Sequence, residues 1–210
     1  MTASKPLIGA PGAQLVIISG PSGVGKDTII EALQQRPRDP DYHYVVTCTT
    51  RHPRPGEVPG VNYQFLTMDE FAHLRDTGEL LEYAQVNGTN WYGTPRGEVG
   101  DALASGHDVI LKIDVQGASA VKQRAPGALL VFIVPPSMEE LFQRLRTRAT
   151  ETADELQVRQ RDAAIELARA GDFDHVVVNE TGQVERTAAE IEAVVAQEKR
   201  RNADRRVKIT

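Results

Sequence analysis

Five short apolar runs, each long enough for a buried strand and separated by stretches of helical period, restrict this 210-residue chain more than any other feature. They fall at Gln14–Ser19, Tyr44–Cys48, Asp108–Ile113, Ala128–Val134 and His175–Val178, and they suit parallel strands covered on both faces. Helical patterns begin at about Gly25 and cover Pro95–Ser105 and Gln116–Arg124. Ser137 and Glu140 stand at capping-box spacing ahead of Leu141, Phe142 and Leu145, whose spacing puts an apolar stripe on one helix face. Two further helices are expected over Ala153–Ala170 and Gln183–Asn202. Strands alternating with helices predict a mostly parallel sheet with helices on both sides, an α/β fold.

Two stretches interrupt this rhythm. From Thr49 to Tyr92 the chain reads as proline and glycine turns, short strands at Tyr63–Leu66 and Leu80–Val86, and one capped helix between Thr67 and Thr77. That is an inserted, mostly β subdomain. From Arg144 to Arg161 charges are dense and a Thr-Glu-Thr turn separates two helical patterns, the marks of a short lid. Residues 1–13 read as a soft tail without a signal peptide or membrane span, leaving 14–210 as one domain. The basic stretch Lys199 to Lys208 reads as a solvated helix end.

Charge and cysteine content remove whole classes of function. Twenty-four Lys plus Arg against twenty-nine Asp plus Glu give a net charge of −5, so the molecule offers no general footprint for a nucleic-acid backbone. A polyanion site must be local. The single cysteine, Cys48, rules out an internal disulfide framework and a cysteine zinc cluster, which fits a reducing, cytoplasmic setting.

Gly20-Pro21-Ser22-Gly23-Val24-Gly25-Lys26 follows the first apolar run and opens the first helical pattern, the context in which such a loop cradles phosphates. Glycines let the backbone close around the anion, and Lys26 reaches the β- and γ-oxygens of a nucleoside triphosphate. Where a Ser or Thr hydroxyl usually ligates magnesium, this chain has Asp27, followed by Thr28. Asp27 is either a hard oxygen ligand for the ion or a complement to the positive end of its helix, and the residues leave both readings open.

The segment from Thr47 to Phe65 carries the most chemistry. Arg51 and Arg54 lie three apart in a proline-stiffened loop and can converge on one phosphate, with the Tyr63 phenol as a further donor. In Asp108–Asp114, strand alternation places Lys112 and Asp114 on one face and Leu111 and Ile113 on the other. Arg144 and Arg148 form an i,i+4 pair, with Arg159 one segment later.

Thr-Thr-Arg-x-x-Arg-x-x-Glu-x-x-Gly-x-x-Tyr-x-Phe, from Thr49 to Phe65, closely resembles the GMP-binding signature of guanylate kinases. The resemblance continues through Glu82-Tyr-Ala, Trp91-Tyr92-Gly93-Thr94, Ile113-Asp114-Val-Gln-Gly117, the arginines of the lid and Val178-Asn179. It implies a P-loop kinase core with a five-stranded parallel sheet (14–46, 95–143 and 162–210), a GMP-binding insert (47–94) and a lid (144–161). It implies phosphoryl transfer from ATP to GMP with magnesium, dGMP being a second candidate acceptor. By the same resemblance Glu82, Asp114 and Thr47 meet the guanine edge, Thr94 lies near O6, and Arg51, Arg54, Tyr63 and Tyr92 hold the GMP phosphate. Lys26, Arg51, Arg144, Arg148 and Arg159 surround the transferred group, and Asn179 lies near adenine. The chemistry agrees: a carboxylate accepts from both N1–H and N2–H of guanine, whereas adenine N1 would meet it as a second acceptor.

The family often has an acidic residue where this chain has Lys112, which suggests a linked exchange with Asp27. Expected partners are ATP and GMP, with no nucleic acid or membrane, in a monomer or small homo-oligomer. Two rivals stand beside this reading. A ribose bisphosphate kinase also carries Gly-Lys-Asp in its loop but has no need of the Thr49–Phe65 segment, and non-catalytic guanylate-kinase-like modules typically lose the loop lysine.

Overall fold

The computed structural model describes residues 6–38, 41–86, 90–146 and 153–210. The strands in chain order are β1 (Leu7–Ile8), β2 (Leu15–Ser19), β3 (His43–Tyr44), β4 (Cys48–Thr49), β5 (Gln64–Phe65), β6 (Leu80–Val86), β7 (Asn90–Pro95), β8 (Val109–Lys112), β9 (Leu129–Val134), β10 (His175–Val178) and β11 (Lys208–Ile209). The helices are α1 (Lys26–Gln35), α2 (Met68–Asp76), α3 (Arg96–Ala104), α4 (Val115–Arg124), α5 (Met138–Arg146), α6 (Ala153–Leu167) and α7 (Val184–Arg201).

A five-stranded sheet in the order β10-β9-β2-β8-β3 is parallel throughout. Alternation along β2 divides the core in two. Val16 and Ile18 face Ile29 and Leu33 of α1 and Ile191 and Val195 of α7, while Leu15 and Ile17 face Val99 and Leu103 of α3 and Val121 of α4. Every residue of β2 is buried, and each Ile or Leu taken from water contributes about 1.5–3 kcal/mol. The sheet is therefore a rigid floor, and the carboxyl ends of β2 and β8 point into one cleft, the place where open α/β sheets bind ligands. Among the described residues no helix is long and apolar enough to cross a membrane.

A four-stranded sheet, order β5-β4-β7-β6, is built from the Thr49–Tyr92 region and its flanks. The run Tyr44–Cys48, expected as one strand, is two: β3 pairs with β8 for two residues, and the backbone then leaves to pair β4 with β7. Strand β7 carries no apolar alternation in Asn-Trp-Tyr-Gly-Thr-Pro and is not among the expected strands. It forms because Gly93 lets Leu80 approach, a Cβ there standing 3.0 Å from Leu80 Cδ1, and because Pro95 lies at the strand end. The helix between Thr67 and Thr77 closes with a capping box between Thr67 and Glu70.

Both chain ends correct the sequence reading. Leu7–Ile8 is not a soft tail but pairs antiparallel with Lys208–Ile209. Gly100 gives room for Leu7, whose Cδ1 would lie 2.4 Å from any Cβ there. Lys199, expected to be solvated, donates at 3.1 and 3.0 Å to the two carboxylate oxygens of Asp108. Asp108 is 1% exposed, also pairs with Arg38, and accepts from the Gln14 N–H at 2.9 Å. A carboxylate taken that far from water requires such partners.

Candidate active site

The loop between β2 and α1 uses backbone that glycine alone adopts cheaply. Gly25 has a φ of 99°, and a Cβ on it would stand 2.7 Å from Asn179 Nδ2. The loop thus closes tightly onto the start of α1, where loop N–H groups and the helix end together favour an anion. Lys26 folds back over the loop and donates to the carbonyls of Gly20 at 2.5 Å and Pro21 at 3.1 Å. Burial pulls its ammonium below the usual lysine value, against the opposing pull of Glu166 and Asp27. A cation partly shielded from water interacts more strongly with an incoming phosphate than a fully solvated one.

Asn179 and Arg144 brace the Val24 side of this loop. The Asn179 amide donates to Val24 O at 2.8 Å and its Oδ1 accepts from the Thr187 hydroxyl at 3.2 Å. Arg144 donates to Val24 O at 3.2 Å, Asn179 O at 3.0 Å and Thr181 Oγ1 at 2.9 Å. Neither lines the cleft, so in this structure Arg144 is not among the charges facing its centre; Val24 O, Asn179 O, Thr181 and Glu140 have taken its fork. Arg159 on α6 donates to Ser22 Oγ at 3.0 Å, and Arg148 lies outside the described residues. Thr28 sits exposed in the first turn of α1.

Opposite the loop, Glu57 organises the arginine pair. Its carboxylate accepts from Arg51 Nη1 at 3.0 Å and Nη2 at 2.8 Å, and from the Arg54 N–H at 2.7 Å. Arg51 Nε also donates to the Tyr92 phenol oxygen at 3.2 Å. The rings of Tyr63 and Tyr92 meet edge to face at 5.8 Å. Arg54, Tyr63 and Tyr92 all line the cleft. The signature contains Glu57, yet its work as the holder of Arg51 is visible only once the turn is folded.

Glu82 owes its position to an irregularity. The β6–β7 register shifts between Leu80 and Glu82, so that Glu82 falls directly opposite Thr94. Arg124 donates to the Leu80 and Leu81 carbonyls at 3.2 and 2.6 Å, satisfying the backbone at that shift. The Thr94 hydroxyl, expected near a ligand oxygen, instead donates to Glu82 Oε1 at 2.6 Å. A Cβ on Gly117 would stand 2.9 Å from Glu82 Oε2, so only glycine leaves that oxygen its place. Glu82 is 4% exposed, and burial pushes its carboxyl up to about 7. Thr47 and Asp114 line the same end, and Asp114 also caps α4 by accepting from the Gly117 N–H at 2.8 Å.

Between the two halves lies an ion pair of Lys112 and Asp27, the exchange suggested by the sequence. Burial alone would lower Lys112, but Asp27, Tyr63 and Glu57 together outweigh it and hold the ammonium above its usual value. Lys112 also lies 5.4 Å from the Tyr63 ring centroid, so it touches the edges of both halves. Cys48 is buried and bonded to Gly93 O, and its thiol is pushed up to about 11 by burial, which removes thiolate chemistry. Glu166 is the residue the sequence did not single out: it lines the cleft and accepts from the Ser22 N–H at 3.0 Å. Its only sequence signal is its spacing seven residues after Arg159, which puts both on one face of α6.

The cleft therefore joins a glycine loop with its lysine, an arginine-tyrosine cluster and the buried Glu82 carboxylate. The guanylate kinase family model matches residues 12–198. Guanylate kinase of Gloeobacter violaceus is 49% identical over 186 residues, covering 89% of this chain and 87% of the relative. Guanylate kinase 2, chloroplastic/mitochondrial, of Oryza sativa is 42% identical over 207 residues, covering 98% of this chain and 72% of the relative. The crystal structure of guanylate kinase from Anaplasma phagocytophilum superposes with a TM-score of 0.74 at 30% identity, over 94% of this chain and 92% of that one. Loop, insert signature, sheet order and relatives agree on one assignment, and the chain belongs to the guanylate kinase family, enzymes that move a phosphoryl group from ATP to GMP.

Proposed function

We propose that GMP binds with its base against Glu82 and its phosphate against Arg51, Arg54, Tyr63 and Tyr92, while ATP lays its phosphates in the Gly20–Lys26 loop. The observation that carries this reading is one continuous cleft with Lys26 and Asp27 at one end and Glu82, Tyr63 and Tyr92 at the other. Residues 47–94 act as the GMP-binding insert and 144–161 as the lid. Thr47 and Asp114 complete the guanine edge, and Thr94 sets the rotamer of the carboxylate that reads it. Cys48, buried and unpaired, suits a cytoplasmic enzyme, which we place there as a monomer or small homo-oligomer.

The acceptor is already an anionic oxygen, so no general base is required. A phosphate oxygen of GMP forms a bond to the γ-phosphorus as the bond to the bridging oxygen breaks, and the electron pair departs with ADP. Lys26, Arg51 and Arg159 neutralise charge around that in-line transfer. Asp27 is the carboxylate next to the loop that fits magnesium. Among the described residues no group of three or more Asp, Glu, His or Cys side chains is arranged to hold a metal ion, so such an ion would rely mainly on phosphates and water. When bound, it supplies Lewis-acid neutralisation of the β- and γ-oxygens.

A coupled assay of ADP formation tests the substrate assignment. GMP should support turnover, AMP should give less by roughly 10³-fold or more, and ribose bisphosphate should give none. ADP formation with ribose bisphosphate and not GMP would hand the chain to that rival.

The Asp27–Lys112 pair calls for its own cycle. Lys112→Ala removes the cation that offsets Asp27, so magnesium-ADP should bind tighter by several-fold in calorimetry, while turnover falls. Combined with Asp27→Ser, the gain in magnesium affinity should vanish. Additive effects of the two substitutions would show that the residues act independently.

A further inference from the structure

The transfer chemistry has no use for an anion on the phosphate loop, yet Glu166 sits there. Its Oε2 accepts the Ser22 N–H at 3.0 Å, and among the charges acting on Lys26 that of Glu166 is the largest. The same face of α6 supplies Arg159, whose Nη2 donates to Ser22 Oγ at 3.0 Å, with fully buried Ala163 between them. A carboxylate taking a loop N–H beside the loop lysine has the chemical surroundings of a bound phosphate: a main-chain donor, an ammonium and a helix N-terminus. The lysine of such a loop reaches the β- and γ-oxygens, so the carboxylate stands at the terminal-phosphate end. Burial raises the Glu166 carboxyl, while Lys26 and the Ser22 N–H draw it down, and Asp114 and Asp162 add to the local negative charge.

We propose that Glu166 is a specificity-determining residue that occupies the terminal-phosphate end of the loop in the nucleotide-free enzyme and thereby sets the balance between ATP and ADP. The proposal rests on the reading of Gly20–Lys26 as the ATP loop. ADP, which ends at the β-phosphate, leaves Glu166 on Ser22. ATP brings a further anion to the same donors, and the two negative charges cannot share them at close range without a cost. The carboxylate must give up the Ser22 N–H, and α6 then meets the nucleotide through Arg159, whose charge suits a phosphate. Arrival of the γ-phosphate is in this way exchanged for an anionic contact of α6, and loss of that phosphate in the reaction restores it.

Glu166→Gln tests this cleanly, because the amide oxygen still accepts from Ser22 while the charge is gone. Calorimetry with ADP and with the β,γ-imido analogue of ATP, each with magnesium, gives the ratio of the two affinities. The ratio should move toward the triphosphate by about tenfold in Glu166→Gln. Glu166→Asp, which draws the carboxylate back by one methylene, should move it the same way by less, and it keeps the test alive should the amide variant fold poorly. A residue that only docks α6 would weaken both nucleotides alike. An unchanged ratio in both variants, or one that moves toward ADP, overturns the proposal. Failure of the unmodified enzyme to bind ADP at all would overturn the loop reading and this proposal together, and is told apart by that arm alone.

Discussion

Glu82→Gln is expected to lower kcat/KM for GMP by about 10³–10⁴-fold and to narrow the preference for GMP over AMP. The carboxylate offers two acceptors to guanine N1–H and N2–H, whereas an amide offers one acceptor and one donor, a pattern that pairs with adenine N1 and its amino group instead. The same variant should gain stability above neutral pH. Burial lifts the Glu82 carboxyl to about 7, so the folded state resists an ionisation that the unfolded chain undergoes at the ordinary carboxylate value. The cost is absent at low pH, where both states are protonated. It builds as pH rises through the usual carboxylate range, and it is complete above about 7, where it amounts to roughly 3 kcal/mol. Thermal melts of the two proteins should therefore coincide near pH 4 and separate by several degrees at pH 8, the variant being the more stable. GMP binding follows the opposite course. Only the ionised carboxylate accepts both protons, so wild-type affinity should fall with pH below about 7 more steeply than that of the variant, which retains only the titration of the GMP phosphate. Equal pH slopes in calorimetry would show that Glu82 does not read the base.

Lys26→Met should reduce kcat by about 10³-fold or more with a fold that melts within a few degrees of the wild type. Lys26 is a partly buried ammonium whose pKa is lowered by desolvation, so its charge costs stability until phosphate arrives. Methionine keeps much of its volume while relieving that cost, and the carbonyls of Gly20 and Pro21 lose the donors at 2.5 and 3.1 Å in exchange. The two changes oppose each other in the folded state, but in the transition state nothing replaces the lost cation. Circular dichroism establishes folding, and GMP calorimetry should show the acceptor half intact. A drop of less than tenfold in kcat would mean that charge at the loop is not what speeds the transfer.

Most of the core could be read from the chain, because strand and helix periods are properties of neighbouring residues. β6, β9 and β10 and helices α3, α4 and α7 lie within two residues of their expected bounds, and α1 starts one residue after the expected Gly25. β7 escaped because Gly93 and Pro95 signal a turn locally, and only its partners β4 and β6 make that backbone a strand. Tyr44–Cys48 was apolar enough for one strand, yet nothing local records that the chain changes sheets in its middle.

The candidate site divides along the same line. Gly20–Lys26 and the Arg51–Arg54 pair were legible, since each depends on residue type at close spacing, and the Asp27–Lys112 exchange was suggested by departures from the family pattern at two positions 85 residues apart. The placing of Arg144 against Val24 was not, because it depends on which carbonyls lie within reach of the guanidinium after packing. Nor was the seat of Glu166 on a residue 144 positions away.

Residue order alone settled the fold class and the glycine-rich loop between β2 and α1, because glycine conformational freedom and apolar period act over a few residues. Tertiary packing alone decided that Glu82 is held dry between Thr94 and Gly117, that Glu57 aims Arg51, and that Glu166 faces Lys26. Desolvation and long-range pairing depend on which surfaces meet, and that is determined only when the sheet, its insert and α6 close on one another.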